Sequence, residues 1–534
     1  MSGFRHMRTV QLAGIVTATA GLAVVVGLAA SRQDKRDERA SRLFDEVRHL
    51  VLTRAVDSMT DDSLFVKAAG GLVNAIGDPY ASLFSQNAMA GFMRNDIGNA
   101  YGGLGMSLER HPGGIAVAGV FHNSPAALGG VMAGDEIIAV NGTPVSGLSG
   151  DRVSQLLLGE PGSGVDITFL RAGVATPIRS HFVRAVVRPT AVPFAMVIGD
   201  HTGYIPLQRF NETADSEMAS AVVDLKHLGA RSFVIDLRGN PGGDVSQALA
   251  VSNLFLNSGQ EIAELRQRGE APQSYRARAP ALVPSAPVVL LVDHYTASAS
   301  EIVAGALQDH DRAVIVGETS YGKGVVQSLF NLEDGYALKL TTGRWYTPSG
   351  RSIQRARTFD GAPDTSINPL ADTLTRAHRP AFKSDGGRTV YGGGGITPDV
   401  KVASDTLTTS EQHLAREFAP KAAQTRTALF DVARELRTTV RGNFVVQPQW
   451  RDAFYDQLRS AGVDVDRATF DAAEPWVNRL LEQQVATIAF GDSSAFRRAA
   501  PSDAPLQRAL TMLEHASTQG QLWSLAAHGA TPGL

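Results

Sequence analysis

The sequence predicts a multi-domain α/β protein that ends in a helical extension. Phe233-Val-Ile-Asp236 and Val288-Val-Leu-Leu-Val292 are short apolar runs of the kind found in strands covered on both faces. They alternate with helix-patterned segments at 213–228, 244–257 and 297–308, which is the signature of layered α/β architecture. At 534 residues the chain exceeds what one core organises, so three or more domains are expected.

Composition narrows the function classes. A content of 43% hydrophobic and 19% charged residues is that of a globular protein, and a net charge of −3 provides no field for nucleic acid. The chain has no cysteine, which excludes disulfides and thiol chemistry and suits a bacterial envelope protein.

From the N-terminus, Arg5, His6 and Arg8 precede an uncharged stretch, residues 9–31, whose most apolar part is Ala20–Ala30. That length spans a bilayer. It also resembles a signal peptide, with Gly27-Leu-Ala29 and Leu28-Ala-Ala30 as small-residue cleavage sites. An uncleaved signal-anchor over 1–31 is favoured; either reading sends the rest of the chain across the membrane. Residues 32–99 read as a helical region. Leu43, Val47, Leu50 and Val51 recur at helical spacing, and a second helix over 64–76 stops at Gly77-Asp78-Pro79-Tyr80.

The chemistry concentrates in two blocks, Thr296-Ala-Ser298-Ala-Ser-Glu301 and Tyr321-Gly-Lys323-Gly-Val-Val-Gln327. A serine hydroxyl needs a base to take its proton, and a lysine amine serves only when neutral. Its pKa must then fall from about 10.4 to roughly 7–8, which requires dry surroundings. Val325, Val326 and the small Gly322 and Gly324 are compatible with such a pocket. Ser298-x-x-Glu301 is equally a capping box, and a cap needs no catalysis. The two roles are compatible, because free N–H groups at a helix start also form an oxyanion hole. Ala299 is one candidate donor, and Gly242 or Gly243 in the Pro-Gly-Gly turn is the other.

Competing chemistries fit less well. Gly317–Lys323 matches the first seven positions of a P-loop, but the eighth is Gly324 where Ser or Thr should hold magnesium. The residues that follow have strand rather than helix pattern. His294 and His310 flank the serine helix, so a histidine base stays open, although no G-x-S-x-G elbow occurs. No H-E-x-x-H occurs, and neither a metal nor an organic cofactor is expected.

Together with Asp236-Leu-Arg-Gly-Asn-Pro-Gly-Gly243, these two blocks resemble the C-terminal processing peptidases, also called tail-specific proteases. The resemblance implies Ser298 as nucleophile, Lys323 as base and Gln327 as the residue orienting the lysine. It implies Asp309, eleven positions after the serine, as an auxiliary acid used in some members. Thr296 replaces the first serine of the family block, an exchange expected to be harmless. The implied core over 187–402 is crotonase-like (ClpP/crotonase). Gly343–Gly350 and Gly395–Val400 extend the match, and residues 355–390 between them read as a surface loop or flap.

Residues 100–186 resemble an inserted, β-rich PDZ domain. Gly103, Leu104, Gly105 and Met106 stand where a backbone nest binds a peptide's terminal carboxylate, and Asn123–Ala126 and Ala133–Gly142 continue the pattern. Leu158 replaces a basic residue often present in relatives, which questions coupling of this domain to the active site as in them. In all, the resemblance covers about 64–402. Residues 403–534 form a helical extension, with Trp476, Val477, Leu480, Leu481, Val485 and Ile488 and then Leu506, Leu510 and Leu513 at helical spacing. Packing on the protease core is its expected use.

The expectation is therefore a serine endopeptidase of the bacterial cell envelope, facing the periplasm and either anchored in the inner membrane or secreted. Its partners are proteins or peptides with free C-termini, an activating adaptor, further copies of itself and the membrane, but not nucleic acid. The alternative is a catalytically inert PDZ-based peptide-binding scaffold.

Overall fold

The computed structural model describes residues 41–92, 100–111, 114–355, 379–403 and 407–528, and the chain divides into two units, residues 1–83 and 84–534. The predicted signal-anchor, residues 1–31, lies outside the described residues. Among those described, no helix is long and apolar enough to cross a membrane.

In the first unit, residues 41–54 are helical and Asp61–Ala75 forms a second helix. The Thr60 hydroxyl caps the latter by accepting from the Ser63 N–H at 3.3 Å. Arg48 joins the two, donating to Asp61 (2.7 Å) and lying 4.9 Å over the Phe65 ring. Leu43, Val47, Leu50, Leu72 and Ile76 remain exposed.

The second unit begins with an antiparallel sheet in the order Met106–His111, Gly114–Val120, Glu136–Val140, Gly164–Leu170, Ile178–Val183. It covers the helix Gly150–Leu157 through Ile115, Val117, Val153, Leu157, Ile167 and Phe169. Tyr101–Gly103 pairs with Ala185–Val187 and joins the two chain ends of this domain.

The central sheet runs Met196–Ile198, Thr202–Pro206, Ser232–Asp236, Val288–Val292, Val314–Gly317, Val400–Lys401, parallel except for its first pair. Every residue of Ser232–Asp236 and Val288–Val292 is buried, as strands covered on both faces require. One face packs the helices Ala214–His227, Val245–Asn253 and Ala299–Asp309, with Phe233, Leu290 and Val303 among the contacts. The other face, carrying Val234, Val289, Leu291, Val314 and Val316, is covered by Leu506, Ala509, Met512, Leu522 and Ala526. These belong to Ala504–Glu514 and Gln519–His528. The last two helices are therefore the second layer of the central sheet. Arg238 fastens them, bridging Asp236 and Asp503 at 2.6 Å each.

The rest of the extension is a helical bundle, Thr409–Phe418, Ala422–Leu436, Pro448–Ser460 and Glu474–Phe490, around Leu414, Phe454, Phe470, Val477 and Leu481. Trp476, half-buried, packs here against Phe418 (5.7 Å between rings) at the edge of this core. A second antiparallel sheet of Glu261–Gln267, Gln273–Arg276, Val325–Asn331 and Ala337–Tyr346 carries the segment after Lys323. A strand, Val325–Asn331, follows Lys323 where a P-loop requires an α-helix, which rules out the P-loop geometry. The predicted loop at 355–390 is ordered where described: Ala381–Lys383 pairs with Thr389–Tyr391 around Asp385-Gly-Gly387, a turn with Gly387 at φ 82°.

Candidate active site

The strand Val288–Val292 ends in a tight turn that feeds the helix Ala299–Asp309. Asp293 shapes the turn by accepting the N–H groups of Tyr295 (3.0 Å) and Thr296 (2.9 Å). The same carboxylate accepts the N–H of Gly239 (3.1 Å), from the neighbouring Asp236–Gly243 loop. The buried Thr296 hydroxyl donates to the Leu237 carbonyl (2.9 Å), a bond that serine or threonine makes alike. Asn240, wholly buried, completes the seam: its carbonyl accepts from the Ala297 N–H (3.0 Å) and the Ser300 hydroxyl (3.1 Å), and its side chain donates to the Leu207 carbonyl (2.7 Å).

Ser298 sits at the tip of this turn with φ 56° and ψ −115°, a conformation that costs a non-glycine residue about 1–3 kcal/mol. Its N–H donates to Glu301 Oε2 (2.9 Å) and its carbonyl accepts the N–H groups of Glu301 (2.9 Å) and Ile302 (3.1 Å). Ser298 and Glu301 form the capping box that the sequence offers, and because the Glu301 N–H also donates to the Ser298 carbonyl (2.9 Å), the half-buried Ser298 hydroxyl is not that N–H group's sole partner.

Gly242 presses on the turn. A Cβ there would stand 2.8 Å from the Ala297 oxygen, and 2.9 Å from both the Ala299 nitrogen and Ser298 Cβ, so only glycine fits. The Gly242 N–H donates to Asn240 Oδ1 (2.9 Å). Among the described residues, no hydrogen bond takes the N–H of Ala299 or of Gly243. Gly243 is locked by its neighbours: Phe210 N–H donates to the Gly242 oxygen (3.1 Å) and Asp244 N–H to the Phe210 oxygen (2.8 Å).

The structure joins the two sequence blocks through Glu301. Its wholly buried carboxylate accepts at Oε1 from the Ser320 hydroxyl and the Gly322 N–H (2.7 Å), and at Oε2 from the Ser298 N–H (2.9 Å) and the Lys323 N–H (2.8 Å). One oxygen therefore grips the backbones of Ser298 and Lys323, placing their nitrogens within about 6 Å of each other. Burial pushes the Glu301 carboxyl above its ordinary value, and its four hydrogen bonds pull the other way. Tyr321 N–H adds a further tie to the Thr296 carbonyl (3.0 Å).

Lys323 is half-buried between the buried Gly322 and Gly324. A Cβ at Gly322 would lie 2.8 Å from Arg355 Cβ, and one at Gly324 would lie 2.8 Å from the Gln354 nitrogen. The dryness expected around the lysine is thus partial and comes from close backbone packing at the two glycines. Gln327 follows a bulge in Val325–Asn331, and its buried Nε2 has no hydrogen-bond partner among the described residues.

Three predicted or competing residues are engaged elsewhere. Asp309 ends the serine helix, about 16 Å along its axis from Ser298. There its buried carboxylate pairs with Arg351 (2.7 Å) and accepts the Ser349 N–H (3.0 Å). An eleven-residue step along a helix leads away from the serine, so an ion pair in the core replaces the expected auxiliary acid. His294 pairs with Glu318 (3.1 Å). His310 pairs with Asp385 (2.7 Å) and holds the hairpin at 381–391 to the helix end. Among the described residues no cluster of His, Cys, Asp and Glu fits a metal ion.

Sequence reasoning read Glu301 as a helix cap but missed its tie to the lysine block, and it gave Asn240 no role. The available signal was a charged side chain inside Ser300-Glu-Ile-Val-Ala-Gly-Ala-Leu, an otherwise apolar run buried throughout.

In the PDZ-like domain, Gly105 (φ 78°) admits no side chain, because a Cβ would stand 2.2 Å from that of Ser124. Among the described residues no hydrogen bond uses the N–H of Leu104 or Gly105, and Leu104 is buried while Met106 is half-buried.

Known family models match both of these regions. The model for peptidase family S41 matches residues 201–367, and the PDZ domain model matches 96–169. The carboxy-terminal-processing protease of Bartonella bacilliformis is 33% identical over 64% of this chain and 79% of its own length. The carboxy-terminal processing protease CtpA of Bacillus subtilis is 30% identical over 61% of this chain and 68% of its own. The chloroplastic carboxyl-terminal-processing peptidase 1 of Arabidopsis thaliana is 36% identical over 53% and 59% respectively.

Proposed function

The chain belongs to the carboxy-terminal-processing serine peptidases of family S41, and from that premise we propose that it cleaves proteins near their C-termini by a Ser298/Lys323 mechanism, on the outer side of a bacterial inner membrane. The single oxygen of Glu301 that holds both the Ser298 and the Lys323 backbone carries this reading.

In the proposed cycle the neutral Lys323 amine takes the Ser298 hydroxyl proton as Oγ bonds to the substrate carbonyl carbon. The oxyanion receives the N–H groups of Ala299 and Gly243. The commitment of the Gly242 N–H to Asn240 favours Gly243 of the two candidate glycines. The Lys323 ammonium returns the proton to the leaving amine as the C–N bond breaks, and water then hydrolyses the acyl-enzyme. Gln327, whose buried Nε2 has no partner among the described residues, orients the lysine once substrate is bound. The core around this dyad is taken as crotonase-like, in keeping with its parallel sheet and the helix that starts at the nucleophile. The PDZ domain receives the free carboxylate of a substrate tail at Gly103–Met106 and delivers upstream residues to Ser298.

The envelope location rests on residues 9–31 and on the lack of cysteine. Self-association through the exposed apolar residues of 41–76, and an activating adaptor, belong to the same proposal.

Mass spectrometry of a loosely folded substrate with an apolar tail tests it. Cleavage is expected from the wild type and from neither Ser298→Ala nor Lys323→Ala. Cleavage surviving in Lys323→Ala would remove the lysine base, and no cleavage by any form, with tail binding intact, would favour an inert peptide-binding scaffold.

A further inference from the structure

Among the described residues the strand Met106–His111 is an edge strand, pairing with Gly114–Val120 on one side only. A tail bound antiparallel to it, with its carboxylate at the Leu104 and Gly105 N–H groups, sets its last residue beside Met106. Its third- and fifth-last residues then lie beside Leu108 and Arg110, and its fourth- and sixth-last beside Glu109 and His111, at about 3.3 Å per residue. Side chains of a strand alternate between faces, and directly paired residues share a face. The face of Met106 and Leu108 packs on the domain's own core with Val153 and Leu157. The face of Glu109 and His111 meets a different element, the helix Ala422–Leu436 of the extension. Glu109 accepts from the Thr427 hydroxyl (3.1 Å) and pairs with Arg426 (3.3 Å), and His111 lies 3.5 Å from Asp431. Ala116 of the next strand is wholly buried beside Phe430 and Ala433 on the same side.

The edge therefore opens into a cleft of about 590 Å³ with two walls, Gly150, Asp151 and Ser154 on one side and Gln424, Arg426 and Thr427 on the other, and toward its far end the Thr427 hydroxyl reaches the strand's own backbone at the Arg110 carbonyl (3.2 Å). We propose that the C-terminal extension is the second wall of the tail-binding groove. It contacts the fourth- and sixth-last residues of a substrate tail, while the PDZ helix contacts the last, third- and fifth-last. The inference rests on the tail-binding reading above and adds a second reader of the same tail. Extended tails of at least four residues engage both walls, and the polar, exposed Gln424 and Arg426 give this wall a polar character.

The absence of cysteine allows a direct test. The full chain carrying Ser298→Ala receives a single cysteine by Gln424→Cys, Arg426→Cys or, for the opposite wall, Asp151→Cys. Each variant is incubated in a glutathione buffer with fluorescent peptides that end in an apolar residue and carry one cysteine at the second- to sixth-last position. Mixed disulfides are expected at the fourth- and sixth-last positions with Gln424→Cys and Arg426→Cys. With Asp151→Cys they are expected at the third- and fifth-last. All should disappear when the peptide carboxylate is amidated. Capture by Asp151→Cys with none by the other two, or capture without alternation, would overturn the second wall and leave tail binding standing. Capture insensitive to amidation, or no capture by any variant, would overturn the tail-binding reading and this inference with it.

Discussion

Replacing Glu301 by alanine removes the acceptor of three backbone N–H groups and one hydroxyl in a spot closed to solvent. Each orphaned buried donor costs about 1–3 kcal/mol. No longer having to bury a carboxylate, whose pKa burial already raises, offsets part of this. The cheapest relief is local: Ser298 leaves its strained φ of 56°, and the 320–323 segment moves toward water. A displacement of about 1 Å at a reacting group costs roughly 100-fold in rate. Glu301→Ala should therefore lower kcat at least about 100-fold while KM, set in the proposed function by the separate tail-binding groove, changes little. Glutamine separates positioning from mere filling. With its oxygen toward Ser298 and Lys323, its amide faces the Ser320 hydroxyl, which can accept, and the Gly322 N–H, which cannot. The Gly322 N–H and the Ser320 O–H then lose their acceptor, at about 1–3 kcal/mol each, while Ser298 and Lys323 keep theirs, and turnover should lie between alanine and wild type. Thermal denaturation and steady-state kinetics on a tail peptide read both effects, with roughly 2–4 °C of Tm for each kcal/mol. A folded Glu301→Ala enzyme with kcat within about threefold of wild type would refute the positioning role.

Other expected outcomes follow from packing and charge. Gly242→Ala drives a methyl into the Ala297 oxygen and Ala299 nitrogen, and should cut kcat by about 100-fold or more with KM nearly unchanged in the same peptide assay. Deleting residues 504–534 strips the second layer from Val234, Val289, Leu291, Val314 and Val316, and should give insoluble protein by centrifugation of lysates. Burial and Arg434 hold the His111 imidazole down at about 4. Its unfolded value is about 6.5, so the unfolded chain binds the extra proton and His111 removes stability as pH falls from about 6.5 to about 4. Asp431, raised to about 6 chiefly by burial, acts in the opposite sense. His111→Gln should thus flatten the acid-side loss of Tm between those values in differential scanning calorimetry.

The strands at 233–236 and 288–292 were legible because a run of apolar residues buried on both faces needs no partner to be recognised. Ser298 and Lys323 were legible as motifs. What ties them was not: Glu301 reads locally as the third residue of a capping box, and its bonds to Gly322 and Lys323 form only after a strand and a loop intervene. Leu506, Leu510 and Leu513 announced a helix with one buried stripe, but periodicity does not say that the covered surface is the protease sheet more than 100 residues upstream. Ala116 and Ala118, small residues on the outward face of a strand, carry too little hydrophobic signal to mark the docking of Phe430 and Ala433. Asp309 misled through spacing, since eleven helical residues carry a side chain away from the serine.

The most direct test of the Ser298/Lys323 assignment is covalent labelling with a fluorophosphonate probe, the site and rate read by peptide mapping in wild type, Lys323→Ala and His294→Gln. The account predicts a single adduct on Ser298, abolished by Lys323→Ala and formed at wild-type rate in His294→Gln. Undiminished labelling of Ser298 in Lys323→Ala, or its loss in His294→Gln, would contradict it.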